Sequence, residues 1–180
     1  MRKDGKMGNK MELVKRQAAA ALITASSSLL FNVDKFEHAQ RVARMLATST
    51  LVPEHFRNNI GNCVIALNYA DRINADPFMV LQNMYVVHGR PGIEGKLVIA
   101  LINQCGRFEP LEFEETPTSC TATAREFKSK RTLRGPTVDA KMVSAEGWNK
   151  KPGSKWLTMP QIMYRYRAAT FFARTYCPEV

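Results

Sequence analysis

The chain has 180 residues, 45% of them hydrophobic and 23% charged, and a net charge of +10. These proportions exclude wholesale disorder and suit one domain with a buried core, and no apolar run approaches the roughly 20 residues that span a bilayer. The basic excess speaks about partners rather than fold. It is also uneven: residues 1–16 carry six bases and two acids, residues 17–124 carry 8 bases and 10 acids, and residues 125–174 carry 12 bases against Glu126, Asp139 and Glu146.

Residues 1–30 read as a basic segment, flexible or partly helical, ahead of a core over 31–180. The stretch AAAALITASSSLLF is short and rich in Ser and Ala, and Asp4 and Glu12 precede it, so it is not read as a secretory signal. A first helix is expected from Asp34 as N-cap, with Glu37 as capping partner. Phe36, Ala39, Ala43 and Leu46 then repeat at helical spacing. STLVPEHF opens a second helix with Pro53 in its first turn. Phe56, Ile60, Cys63, Leu67 and Ala70 form its buried stripe, and NADPF ends it.

NMYVVHGRPGIEG reads as a β-hairpin, and EGKLVIALINQCG as a helix closed by Gly106. PLEFEE alternates, with Leu111 and Phe113 inward, and SCTATAREF alternates again. KSKRTLRG is a basic turn, and PTVDAKMV puts Val138, Ala140 and Met142 on one face of a further strand. A Gly/Pro/Lys loop bracketed by Trp148 and Trp156 leads to the last helix, with Thr158 as N-cap, Gln161 as its reciprocal partner and Pro160 in the first turn. Cys177-Pro178 stops it. Helices first, a small antiparallel sheet with a hairpin in the middle and a long basic helix at the end give an α+β fold.

The four cysteines, Cys63, Cys105, Cys120 and Cys177, form no CxxC and suit buried, reduced thiols of a cytosolic protein. His38, His55 and His88 show no zinc-ligand spacing with them.

On the last helix, Ile162, Tyr166, Ala169, Ala173 and Tyr176 are expected to face the core. Arg167, Thr170 and Arg174 share a neighbouring stripe, while Arg165 projects elsewhere, beside Phe172. Two readings stay open: the arginines pair with acids such as Glu112, Glu114 or Glu115, or they face a polyanion. Lys150, Lys151, Lys155 and Trp156 precede the helix, and Arg125, Lys128, Lys130, Arg131 and Arg134 decorate the turn before it. A positive groove with aromatics is equipment for single-stranded nucleic acid. Against that, Trp148 and Trp156 also suit a core.

Enzyme readings fit less well. HGRPGIEGK is not a phosphate-binding loop: five residues separate Gly89 from Gly95, and Leu97, without a hydroxyl, follows the lysine. Lys96 is retained as a phosphate contact. Asp76 with Glu94-x-Lys96 mimics the acids and lysine of a Mg²⁺-dependent nuclease, the main rival reading. A basic RNA-associated structural protein is a third.

DPFMVLQNMYVVHGRPGIEGKLVIALINQCGRFEPLEFE, followed by SKWLTMPQIMYRYRAATFFARTYCPE, resembles the RecT/Red-beta family of phage-type single-strand annealing proteins, from about Phe36 onward. The resemblance implies a protein that binds single-stranded DNA and anneals complementary strands without ATP or bond-making catalysis. Mg²⁺ is at most a modulator. It implies self-association into rings or filaments on single strands and annealed duplex. The implied partners are a 5′–3′ exonuclease and a host single-strand binding protein, in the cytoplasm of a bacterial host and away from membranes. Family basic positions match Arg165, Arg167 and Arg174, whereas a lysine of some relatives is Gln161 here. Tyr85 and Arg107, within the first matching stretch, complete the candidate DNA contacts with Lys96, Arg125, Lys128, Lys150, Lys151, Lys155 and Trp156.

Overall fold

A computed structural model describes residues 28–179, so the expected basic N-terminal segment lies outside the described residues up to residue 27. The chain divides into two units, one ending at Gln82 and the other beginning at Asn83.

In the first unit, α1 spans Val33–Thr48. Its N-cap is Asn32, whose side chain accepts a hydrogen bond from Lys35 N at 2.9 Å. The expected cap, Asp34, lies inside the first turn, where its charge meets the positive end of the helix dipole. Ala39, Ala43 and Leu46 are buried as the spacing requires, and Phe36 is half-buried.

The helix expected from Pro53 is instead a single 3₁₀ turn, Glu54–Phe56, then α2 over Ile60–Ile73. Asn58 has a positive φ of 55° and separates the two. Asn59 then caps α2, accepting from Asn62 N at 3.0 Å. Cys63, Leu67 and Ala70 are buried, whereas Ile60 is exposed. Left-handed Asn74 ends the helix. A short helix absent from the sequence expectation, α3 (Pro77–Asn83), follows.

The second unit opens with a hairpin of β1 (Met84–Val87) and β2 (Arg90–Ile93). His88 and Gly89, at φ 49° and 74°, form its two-residue turn, the left-handed pair that matches strand twist. Helix α4 (Gly95–Gln104) follows, then β3 (Glu112–Thr116) pairs with β4 (Ser119–Arg125). β5 (Thr132–Arg134) and β6 (Val138–Asp139) pair with opposite ends of β4. The basic turn thus contains a strand, β5. The strand expected over 138–142 stops after two residues because Asp139 caps a helix, its Oδ1 accepting from Met142 N at 2.7 Å, and α5 runs Ala140–Ala145. On β4 the expected alternation is lost: Cys120 through Ala124 are all buried, so both faces of this central strand are covered.

The loop holds a 3₁₀ turn, Trp148–Lys150, and a one-turn helix α6, Lys155–Thr158. Then α7 runs Pro160–Tyr176, with proline first as expected. Its N-cap is Met159 rather than Thr158, and makes no side-chain bond. Gln161 instead donates from Nε2 to the Pro117 carbonyl at 3.0 Å. The inward face of α7 is Tyr164, Ala168, Ala169, Phe172 and Ala173, packed on β4 and α4. Ile162, placed inward from sequence, is exposed, and Tyr166 and Tyr176 are half-buried. Phe172 meets Phe108 edge-on, at 5.5 Å between ring centres. Gly95 is where α4 crosses α7: a Cβ there would collide with Tyr166 Cβ and lie 2.9 Å from its Cα. Among the described residues no helix is long and apolar enough to cross a membrane.

Candidate nucleic-acid interface

The arginines of α7 part company. Residues two apart point about 200° apart around a helix, and residues seven apart nearly coincide. Arg165 therefore leaves the helix on a different side from Arg167 and Arg174. On its side it meets β3: Nε and Nη2 each donate to Glu115 at 2.6 Å, one to each carboxylate oxygen. The guanidinium also lies 5.9 Å from the Phe113 ring centre, and not beside Phe172 as expected. The Arg165 fork and the Cys120 thiol hold the Glu115 carboxyl below its ordinary range. For Arg165, then, pairing with a protein carboxylate is the reading the structure shows.

Arg167 is in another situation. Its guanidinium carbon sits 4.0 Å from the Trp148 ring centre and 5.9 Å from that of Phe171. Trp148 is stacked on Trp156 with ring centres 5.4 Å apart, and Trp156 meets Tyr164 edge-on at 5.1 Å. Cation, indole, indole and phenol thus form one continuous column from the surface into the core. Burial, then repulsion from Arg174, lower the proton affinity of Arg167; Tyr85 and Glu146 act weakly in the other direction. No ion pair to Arg167 or Arg174 occurs among the described residues. A desolvated arginine facing a like charge is costly unless an anion completes it.

The other expected contacts divide in the same way. Lys150 ends the 3₁₀ turn that begins at Trp148, Lys151 follows it, and Lys155 opens α6; all three are exposed and unpaired among the described residues. Lys128 is exposed in the turn after β4. Tyr85 is 45% exposed on β1, its ring lying over Gly92. Trp156 is buried at 9% exposure, so it belongs to the core and not to an open surface.

Several candidates carry protein partners. Lys96 Nζ lies 3.1 Å from Glu94. Arg107 reaches Glu179 at 2.8 Å and Glu126 at 3.7 Å. Arg125 Nη1 is 3.9 Å from Glu109, and Arg134 pairs with Glu114. These pairs are exposed, a class that contributes about 0–1 kcal/mol each, so an anion can compete for them. Of the nuclease constellation, Asp76 accepts from Met79 N at 2.7 Å at the start of α3, and Glu94 pairs with Lys96. Among the described residues no group of three His, Cys, Asp or Glu is placed to hold a metal ion.

What the sequence missed is the seating of Arg167 on Trp148, and Tyr164 as the column's inner end. The bracketing tryptophans were a signal for the loop. Nothing local said which of them would carry the arginine. No protein-family model matches the sequence, and no curated protein matches it.

Proposed function

We propose that this protein binds single-stranded DNA and anneals complementary strands without ATP, assembling on the DNA as an oligomer. The observation that carries the reading is Arg167: half-buried on an indole, repelled by Arg174, and without a carboxylate partner among the described residues. The exposed lysines at 150, 151 and 155 extend the cationic run from the same tryptophan turn. Cations that keep no protein counterion suit phosphates, whose condensed counterions they release on binding. Sequence choice then comes from base pairing between the two strands. Side chains contribute pre-organisation: phosphates neutralised and strands held extended.

On the same reading the partners are a 5′–3′ exonuclease and a host single-strand binding protein. The setting is phage-type recombination in a bacterial cytoplasm, away from membranes, with Mg²⁺ at most a modulator.

The test is to mix two complementary oligonucleotides with the protein, without nucleotide, and to follow duplex formation and image the complexes. Faster annealing with assembly on the DNA is expected. Strands shortened in the presence of Mg²⁺ would mean a nuclease. Monomeric complexes that prefer RNA would mean an RNA-associated protein. Either outcome overturns the proposal.

A further inference from the structure

Trp148 has a second use that its present contact hides. Its ring is half-buried and backed by Trp156 at 5.4 Å, so the indole is held rigidly in place. The planar guanidinium of Arg167 also lies against it, at 4.0 Å. A nucleobase can use the same flat π face that the guanidinium stacks on, and the strand that carries the base is drawn by the surrounding positive charge that the guanidinium itself is repelled by. Arg167 meanwhile keeps its charge where burial and Arg174 both oppose it. A phosphate would give it the bidentate, charge-assisted partner it lacks among the described residues. The turn that carries Trp148 is bounded by two glycines with left-handed backbone, Gly147 at φ 65° and Gly153 at φ 69°.

We propose that Trp148 is a nucleobase platform capped by Arg167 in the unbound protein: when a single strand binds, the guanidinium moves to a backbone phosphate and a base takes its place on the indole. The proposal rests on the single-strand reading above and adds one point to it, that part of the affinity comes from bases. Trp156 takes no part beyond backing the ring, because it is buried. The contact reads no sequence, since every base offers a π face.

A pair of ligands separates base from phosphate: oligo(dT), and an abasic strand of equal length with the same phosphates. Base stacking contributes about 1–3 kcal/mol per base, or about five- to 150-fold in affinity. Trp148→Leu is expected to lose at least about fivefold on oligo(dT) with its salt slope unchanged, to lose nothing on the abasic strand, and to be restored by Trp148→Phe. Equal losses on both strands with a shallower slope would show that Trp148 only seats Arg167, and would overturn the exchange. No loss on either strand would also overturn it.

Should Trp148→Leu not fold, the wild-type protein supplies the readout, since it has two tryptophans and one of them is Trp148. Its emission is expected to be quenched by oligo(dT) and not by the abasic strand. Quenching that is the same with both, or absent with both, rules the exchange out. Wild-type protein that binds neither strand would sink the annealing reading and the exchange together. Binding with the wrong pattern sinks the exchange alone.

Discussion

Arg167→Met separates what Arg167 does for the fold from what it does for a ligand. Methionine keeps the length of the stem and offers sulfur to the Trp148 ring, a contact of about 0.3–1.5 kcal/mol. The lost cation–π contact is of about 0.5–2 kcal/mol. These nearly cancel. What remains is mainly relief: the burial of a charge and its repulsion with Arg174 disappear, and they outweigh the attractions to Tyr85 and Glu146 that are lost with them. The variant is therefore expected to unfold at the wild-type denaturant midpoint or slightly above it. On the proposed function, DNA binding is expected to behave oppositely. One phosphate contact on a single strand contributes a slope of about 0.7 in log K against log salt, so losing it costs about fivefold at about 0.1 M salt and about 25-fold at about 0.01 M. Fluorescence anisotropy of labelled oligo(dT) across a salt series measures both terms. A slope equal to the wild type would show that Arg167 touches no phosphate. A stability loss above about 3 kcal/mol, beyond the usual range for a single substitution, would make it a structural pin.

Three further outcomes follow from the packing. Gly95→Ala places a methyl against the backbone of Tyr166 and is expected to lower stability by about 1–3 kcal/mol in thermal or urea unfolding, and a wild-type midpoint would refute the α4–α7 crossing. Glu115 is held low by Arg165, so its contribution is present above the unfolded carboxylate value of about 4.3 and fades as pH falls through the lower native value. Glu115→Gln should thus cost up to about 1 kcal/mol at neutral pH, with the gap to wild type closing in acid, and a pH-independent gap would contradict the ion pair. Burial pushes the Cys120 and Cys177 thiols up to about 11, whereas Cys105 is exposed. Iodoacetamide near neutral pH should therefore label Cys105 first in native protein, and peptide mapping that finds Cys120 labelled as fast would refute its position.

Legibility from sequence followed the range of the cause. The hairpin was readable because the apolar run YVV, rich in β-branched residues, gives way to a Gly/Pro cluster that marks a turn. The ends of α7 were readable to within two residues because Pro160 and Pro178 punctuate it. Caps were misplaced where several candidates crowd together: Asn32 beat Asp34, and Met159 took the place given to Thr158. Asp139 looked like one residue of a strand because the cap and the alternating pattern overlap in VDAKMV. Of the inward face expected for α7, Ala169 and Ala173 are buried, whereas Ile162, Tyr166 and Tyr176 are not, because the helix is aromatic and small-residued on more than one side and only β4 and α4 decide between them. The partner of Arg165 was named among three glutamates, but Glu115 lies 50 residues away in sequence and its choice depends on strand register. The indole under Arg167 was out of reach for the same reason.

Beside Tyr164 and Phe172, the core where α7 packs on β4 includes short side chains: Ala168, Ala169 and Ala173 on the helix, Ala122 and Ala124 on the strand, all buried. Methyl groups have no rotamers to change, so two backbones that meet through them approach closely and pack without side-chain rearrangement. The facing of the arginines is set by that packing, and one residue of slippage would swing every arginine by about 100°. On the proposed reading, the adjustment a bound strand requires then falls to side chains such as Arg167, whose guanidinium swings on its own stem while the backbone of α7 and the Trp148 ring stay in place.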